Sequence, residues 1–331
     1  MIGRREFITL LGGAAAWPVL ARAQQGERVR RVGFLGFSEE GTSSNLLKVV
    51  RDELQKLGWT EGRNLRLDVR FGGGDVARTR AYAAELVKLA PDVIVTGAFI
   101  PTRAAQQETT TIPIVFIGSG DPVGVGVVKN AAHPEGNITG FANSFGSLGA
   151  KRVELLKEAV PKITRVAHLV IAGNEVVTVF GQRARSLATS IEAGASLSAL
   201  QLVTINYLAG GRAAIESFAA EPNGGLVVDA SLFSIAPFEL VRLAEQYRLP
   251  AIYATRSFTA NGGLMSYDSD LSEILHGVVL YVDRILRGAK VSELPVQNPT
   301  RFRLVVNLKA AKMIGLTIPS SFLLRADEVI E

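Results

Sequence analysis

Short apolar segments alternate with amphipathic ones along most of this chain, and this rhythm constrains its fold more than any other feature. The segment 31–37 is a compact apolar run, typical of a strand buried on both faces of a parallel sheet. Leucine and valine then recur at helical spacing over 46–57, and Gly58 follows where a helix-ending glycine is common. Because such pairs repeat, the sequence predicts parallel sheets covered by helices on both faces.

The rhythm restarts near position 145, and 331 residues are enough for two domains of ordinary size. We therefore predict an α/β protein with two doubly wound parallel-sheet (Rossmann-like) lobes joined by a hinge. The last elements exceed what completes one lobe, so they are predicted to cross back between the two. The predicted lobe 1 is 24–142 plus about 266–292, and the predicted lobe 2 is 143–265 plus about 293–331. The hinge candidates are three short segments: 142–146, 261–263 and 295–297.

The first 23 residues are predicted to be an export signal. The paired arginines Arg4 and Arg5 precede a short apolar stretch, and small residues at Ala21 and Ala23 favour cleavage after Ala23. The Arg-Arg-x-Phe-Ile pattern at 4–8 is typical of signals for the twin-arginine export route. A membrane anchor is the alternative, but the apolar stretch is short and interrupted. Since the chain has no cysteine, it has no site for a lipid on cysteine. These features predict a soluble, non-lipidated periplasmic protein that does not span the membrane after cleavage.

Motifs for catalysis, metals and cofactors are missing from the sequence. There is no Gly-x-x-x-x-Gly-Lys-Ser/Thr loop, and the glycines at 33 and 36 do not complete a dinucleotide fingerprint. The segment 118–120 is not a nucleophile elbow. The histidines lack metal-ligand spacing, and His168 lies in an apolar strand, where a packed residue is expected. The net charge of +5 includes no basic block for nucleic acid. We predict no catalytic residue, no metal and no cofactor.

The loops that follow the predicted strands carry groups suited to a small polar molecule. Ligands of open α/β sheets bind at these strand ends, because helix N-termini and free backbone N–H groups converge there. Carboxylates can hold an ammonium group, hydroxyls and N–H groups can hold a carboxylate, and aromatic rings can face an apolar group. Capping of the following helix is the alternative role for each of these residues. The predicted ligand-binding residues are Ser38, Glu39, Thr96, Gly97, Phe99, Ser119, Asp121, Asn174, Asp229, Tyr253 and Tyr267.

Several longer motifs resemble a large family of bacterial ABC-transporter substrate-binding proteins, related to tryptophan/tyrosine-type binding proteins. The motifs include Leu-Gly-Trp-Thr-Glu-Gly-Arg-Asn, Gly-Asn-Ile-Thr-Gly-Phe and Gly-Gly-Leu-Met-Ser-Tyr. The resemblance extends over essentially the whole chain. The matching segments are 4–18, 57–64, 89–94, 112–116, 121–124, 136–141, 262–267, 281–290 and 294–297. The resemblance implies a type I periplasmic-binding-protein fold with a hinged cleft. It also suggests an aromatic or apolar amino acid, or a relative, as ligand. The chain departs from the family pattern at 172–175 and 268–269, so its ligand can differ from that of its relatives.

The resemblance further implies that the chain captures a small molecule and passes it to an ABC permease and its ATPase in the inner membrane. Capture would work by closure, because a ligand that contacts both lobes only in the closed state stabilises that state. Two other functions stay open. One is an exported ligand-sensing module for a membrane receptor, and the other is an exported enzyme that uses the same cleft. A binding fold alone does not separate them.

Overall fold

The computed structural model describes residues 28–118, 121–143, 148–171, 177–230, 232 and 236–331, without the side chains of 40–45, 177–186 and 237. The predicted signal segment, Ser119 and Asn174 lie outside the described residues. Among the described residues, the first five strands along the chain form one sheet and the remaining seven form a second. The first contains five parallel strands in the order β2-β1-β3-β4-β5, and the second contains seven in the order β12-β11-β10-β9-β8-β6-β7. This arrangement confirms the predicted α/β class with two parallel-sheet lobes.

The strands of the first sheet are β1 (Arg30–Gly36), β2 (Leu65–Phe71), β3 (Val93–Gly97), β4 (Ile114–Ile117) and β5 (Ile138–Phe141). The strands of the second are β6 (Arg165–Val170), β7 (Gln201–Asn206), β8 (Gly224–Val228), β9 (Ala251–Tyr253), β10 (Met265–Ser269), β11 (Phe302–Asn307) and β12 (Glu328–Ile330). Nearly all neighbours in the second sheet are parallel, but β10 and β11 are antiparallel. The inner strands β3, β4, β6 and β8 are buried almost throughout, which explains why the sequence shows apolar runs rather than alternation there.

The helices follow the strands in the predicted alternation. The helices of the first half are α1 (Glu40–Lys56), α2 (Val76–Lys88), α3 (Phe99–Glu108), α4 (Gly149–Ala159) and α5 (Val177–Leu197). Those of the second half are α6 (Gly211–Ala219), α7 (Pro237–Gln246), α8 (Arg256–Ala260), α9 (Leu271–Leu286), α10 (Leu308–Met313) and α11 (Ser320–Leu323). Helix α9 follows a strand of the second sheet but packs on the first, where Val278 and Val282 are buried beside Val95 and Val115.

The chain passes between the two sheets at three places: after β5, after β10 and before β11. The described parts of these crossings are joined by backbone hydrogen bonds. The amide of Ala142 donates to the carbonyl of Gln297 at 2.8 Å, and the amide of Gln297 donates to Gly140 at 3.0 Å. At another crossing the amide of Asp270 donates to the carbonyl of Arg301 at 2.9 Å. The crossing segments therefore lie side by side, as a hinge requires.

The positions of the crossings differ slightly from the boundaries expected near 266 and 293. Pairing with β11 holds β10 in the second sheet, so the chain leaves this lobe only after Ser269. Farther along, the amide of Val296 donates to Ala131 at 2.7 Å, and the Val296 side chain is buried against the first sheet. The hinge expected at 261–263 is instead a turn within the second lobe, where the amide of Gly263 donates to the carbonyl of Phe258.

Candidate functional site

The carboxyl edges of both sheets border the crossing segments, and we call the space between these edges the candidate cleft. After β5 the chain leaves the first sheet at a carboxyl end and enters the second lobe at the start of α4. After β10 it leaves the second sheet at a carboxyl end and enters the first lobe at the start of α9. Both crossings start at the carboxyl edge of one sheet and lead to the N-terminus of a helix in the other lobe. The carboxyl edges of both sheets therefore lie next to the crossing segments. Such edges are where open α/β sheets bind ligands.

The wall of the cleft in lobe 1 contains a strained turn after β3. Ala98 has φ 75° and ψ 175°, a conformation that residues with a side chain rarely adopt. Two hydrogen bonds hold it there: its amide donates to the carbonyl of Ile117 at 2.9 Å, and the Thr102 hydroxyl donates to its carbonyl at 2.7 Å. Gly97, half-buried, precedes it. Strain of this kind is common at ligand-binding turns, which places the β3–α3 turn among the candidate contacts.

Two predicted contacts of lobe 1 support the wall from behind rather than lining the cleft. Thr96 is fully buried, and its hydroxyl is hydrogen-bonded to that of Thr102 at 2.8 Å. Phe99 is 7% exposed and packs in the core with Phe116 and Val127. Both side chains are thus buried in the wall, and their contact with a ligand stays a prediction. Phe99 is buried because α3 begins at this residue, so its ring turns back onto the sheet.

The loop after β4 brings glycine and asparagine together at the cleft. Gly118 has φ 68°, a conformation that favours glycine, and a Cβ atom there would lie 2.9 Å from Nδ2 of Asn143. Asp121 is exposed, and its carboxylate accepts a hydrogen bond from the amide of Gly124 at 3.0 Å. Asp121 therefore shapes its own turn, and its contact with a ligand stays a prediction. In the loop after β1, Ser38 is half-buried and Glu39 is exposed.

The wall of the cleft in lobe 2 contains a buried charged cluster beneath Asp229. Asp229 follows β8 and is half-buried, whereas Arg152 on α4 and His168 on β6 are each 1% exposed. The Nε atom of Arg152 donates to the carbonyl of Tyr267 at 3.0 Å. Burial lowers the pKa of His168 to about 4; the Arg152 charge adds to this effect, and the Asp229 charge opposes it. The imidazole is therefore neutral at pH 7, and Arg152 and Asp229 carry the charge of this wall.

The two predicted tyrosines of lobe 2 differ in position. Tyr253 is 1% exposed and stacks on Phe258 with ring centroids 4.7 Å apart, on the sheet face that packs against α7. Burial also raises the pKa of Tyr253. The ring therefore packs in the core of lobe 2, and its contact with a ligand stays a prediction. Tyr267 is half-buried in the middle of β10 and packs against Phe302, so it stays a candidate.

Arg152 is the residue that sequence reasoning missed. It lies on the same helical stripe as Leu155, Leu156 and Ala159, all of which are buried on the second sheet. An arginine on the apolar stripe of a predicted helix was therefore the available signal, because such a charge is buried only with partners. His168 is buried in β6, as its place in an apolar strand predicted.

The part of the chain that the structure describes lacks both a membrane-spanning helix and a metal-binding cluster. None of its helices has both the length and the hydropathy needed to cross a membrane. None of its histidine, aspartate and glutamate side chains form a group of three that could hold a metal ion.

Two lobes that share one cleft and are joined by adjacent crossing segments define a hinged, two-lobed binding protein. The chain belongs to the family of ABC transporter substrate-binding proteins, whose model matches residues 32–330. It is 23% identical over 310 residues to the tyrosine-binding protein of Clostridioides difficile (strain R20291), covering 91% of this chain and 86% of that relative.

Solved structures show the same fold. A conserved domain protein from Vibrio cholerae O1 biovar El Tor has a TM-score of 0.80 at 28% identity, covering 91% of this chain and 100% of that one. An ABC domain from Streptococcus pneumonia, in complex with L-Trp, has a TM-score of 0.78 at 21% identity, covering 91% and 99%. These similarities confirm the predicted type I periplasmic-binding fold.

Proposed function

We propose that this chain is the periplasmic, non-lipidated solute-binding component of an ABC uptake transporter and has no catalytic activity of its own. The observation that carries the proposal is the pair of parallel-sheet lobes whose crossing segments lie side by side next to their carboxyl edges. A ligand that contacts both edges favours the closed state by its differential affinity. The closed form is then the form that the permease recognises, and the ATPase of the transporter supplies the ATP chemistry. The sequence at 1–23 supports export by the twin-arginine route.

The ligand that the cleft suits best is an aromatic or apolar amino acid or a close relative. Two relatives support this class, since one is named for tyrosine and another was solved with L-Trp. In this chain, Asp229 is the half-buried carboxylate at the lobe 2 edge and is suited to an ammonium group. The backbone of the strained Ala98 turn is suited to a carboxylate, and Tyr267 offers an apolar surface.

A thermal-shift screen of the mature chain, starting at Gln24, tests the proposal against amino acids and aromatic acids. A ligand of the native state raises Tm in proportion to the logarithm of its concentration over Kd. The expected result is a dose-dependent shift with a ligand that mass spectrometry recovers unchanged. Asp229→Asn should reduce the shift strongly, because a buried charge-assisted bond is lost, whereas the exposed control Glu135→Gln should not. No shift across the library, or chemical conversion of the ligand, would refute capture.

A further inference from the structure

A cavity of about 440 Å³ opens beside the carboxyl end of β2, and its lining includes Glu39, Arg70, Phe71, Arg78 and Tyr82. We call it the rim cavity. Strand β2 is the outer edge of the first sheet, whereas β5, at the opposite edge, lies beside the crossing segment at Gln297. The rim cavity therefore lies at the open mouth of the cleft, on the side farthest from the hinge. Its volume is within the range of small-molecule sites.

Opposite charges line the rim cavity without pairing. Glu39 precedes α1, and its carboxylate makes no capping hydrogen bond to that helix. Arg78 lies in the first turn of α2, where only its backbone amide is bonded to Asp75, at 2.6 Å. Neither side chain forms an ion pair with any other side chain that the structure describes. Arg70 differs, because its Nε atom lies 3.1 Å from the carboxylate of Glu85. Among the described side chains, the cavity thus presents one negative and one positive group outside any ion pair.

Two half-buried aromatic rings form the apolar part of the same cavity. Phe71 ends β2, and Tyr82 lies on α2 with the Arg70 guanidinium 5.9 Å from its ring centroid. Gly73 gives the Arg78 side chain its room, since a Cβ atom there would lie 2.9 Å from Nη1 of Arg78. A planar group can contact these rings while its polar end reaches the charges, because charged groups and aromatic faces suit different ends of one molecule.

We propose that the rim cavity is a second, weaker binding site for a zwitterionic α-amino acid with a planar side chain. Arg78 takes the carboxylate, Glu39 takes the ammonium group, and Phe71 and Tyr82 take the side chain. The ligand class rests on the proposed function, and Glu39 is the one predicted cleft contact that the rim cavity includes. Bound amino acid at the mouth of the cleft adds to the local concentration of ligand next to the tighter site.

Fluorine NMR with 4-fluoro-L-phenylalanine tests the site on the mature chain, with Arg78→Gln and Glu39→Gln as variants. The wild type should show a tight event and a separate millimolar event. Each variant should weaken the second event by about three- to tenfold, since an exposed charged contact is worth less than a buried one. Arg78→Gln should leave the first event unchanged, because Arg78 is not among the predicted cleft contacts. Arg80→Gln, an exposed arginine on the same helix outside the cavity, is the matched control and should change neither event. Since Glu39 and Arg78 are exposed, both variants should keep the wild-type Tm.

Two analogues with a single charge separate the roles of the two residues. Weak binding of 3-phenylpropionate should depend on Arg78 alone, and weak binding of 2-phenylethylamine on Glu39 alone. A single tight event would overturn the second site and leave the proposed capture function intact. A second event that neither variant weakens would also overturn it. Dependence on Arg78 alone for every probe would make the cavity a simple anion site and refute the zwitterion assignment. No event with any probe would overturn this site, while the thermal-shift screen decides capture separately.

Discussion

His168 should make the stability of this protein depend on pH between about 6.5 and 4. In the folded chain, burial and the charge of Arg152 lower the pKa of His168 from 6.5 to about 4, although Asp229 opposes the shift. The unfolded chain binds the proton at the higher pH. Stability is therefore fully present above pH 6.5, falls as the pH drops towards 4, and receives no further loss from this group well below 4.

The size of the effect follows from the difference in pKa. Each pKa unit corresponds to about 1.4 kcal/mol, so moving from pH 7.5 to pH 4 should cost about 3 kcal/mol through His168. His168→Leu removes the titrating group and replaces it with an apolar side chain of similar size. Neither ring nitrogen of His168 has a hydrogen-bond partner among the described residues, so the variant should be at least as stable as the wild type at pH 7.5.

Urea unfolding followed by circular dichroism at pH 7.5 and pH 4 measures this difference. The wild type should lose about 3 kcal/mol more than His168→Leu over this change, because other titrating groups contribute equally to both proteins. His133→Gln replaces an exposed histidine and should behave as the wild type does. Equal losses in the wild type and His168→Leu would refute the reasoning, since they would show that His168 is not buried in neutral form.

Two further predictions concern the contact between α9 and the crossing segment. Gly277→Ala would place a Cβ atom 2.2 Å from the ring of Phe141. The overpacking should outweigh the roughly 1 kcal/mol that alanine gains in a helix, so urea unfolding should show a net loss of about 1–2 kcal/mol; a net gain would contradict the packing. The hydroxyl of Tyr281 donates to the carbonyl of Pro295 at 2.7 Å. Tyr281→Phe should lower stability by about 1–2 kcal/mol and speed hydrogen exchange at the amide of Gln297, and unchanged exchange would show that this bond does not hold the crossing segment.

The sequence predicted the fold well because the fold depends on patterns that lie within single segments. The apolar run at 31–37 and the leucine spacing at 46–57 correspond to β1 and α1. The assignment of late elements to a lobe depended on long-range pairing instead. No local pattern shows that 265–269 pairs with β11, or that Val296 packs on the first sheet.

The candidate site was predicted less well, because strand ends are easy to locate but side-chain directions are not. Asp229 lies half-buried directly after β8, as expected, whereas Tyr267 is half-buried in the middle of β10. Tyr253 lies one position away from the cleft face, and the period of two along a strand turns its ring into the core. Arg152 escaped notice because its partner, the carbonyl of Tyr267, is 115 residues away in sequence. The sequence alone does not show such a contact.

Closure of the two lobes around a ligand is the central claim, and a distance across the mouth of the cleft tests it most directly. The chain has no cysteine, so Ala81→Cys in lobe 1 and Ala213→Cys in lobe 2, both exposed, can carry spin labels. A pair within lobe 2, Ala213→Cys with Glu245→Cys, is the control. On addition of the amino acid that gives the largest thermal shift, electron-electron resonance should show a shorter distance across the mouth and an unchanged distance within lobe 2. An unchanged distance across the mouth at saturating ligand would contradict the account.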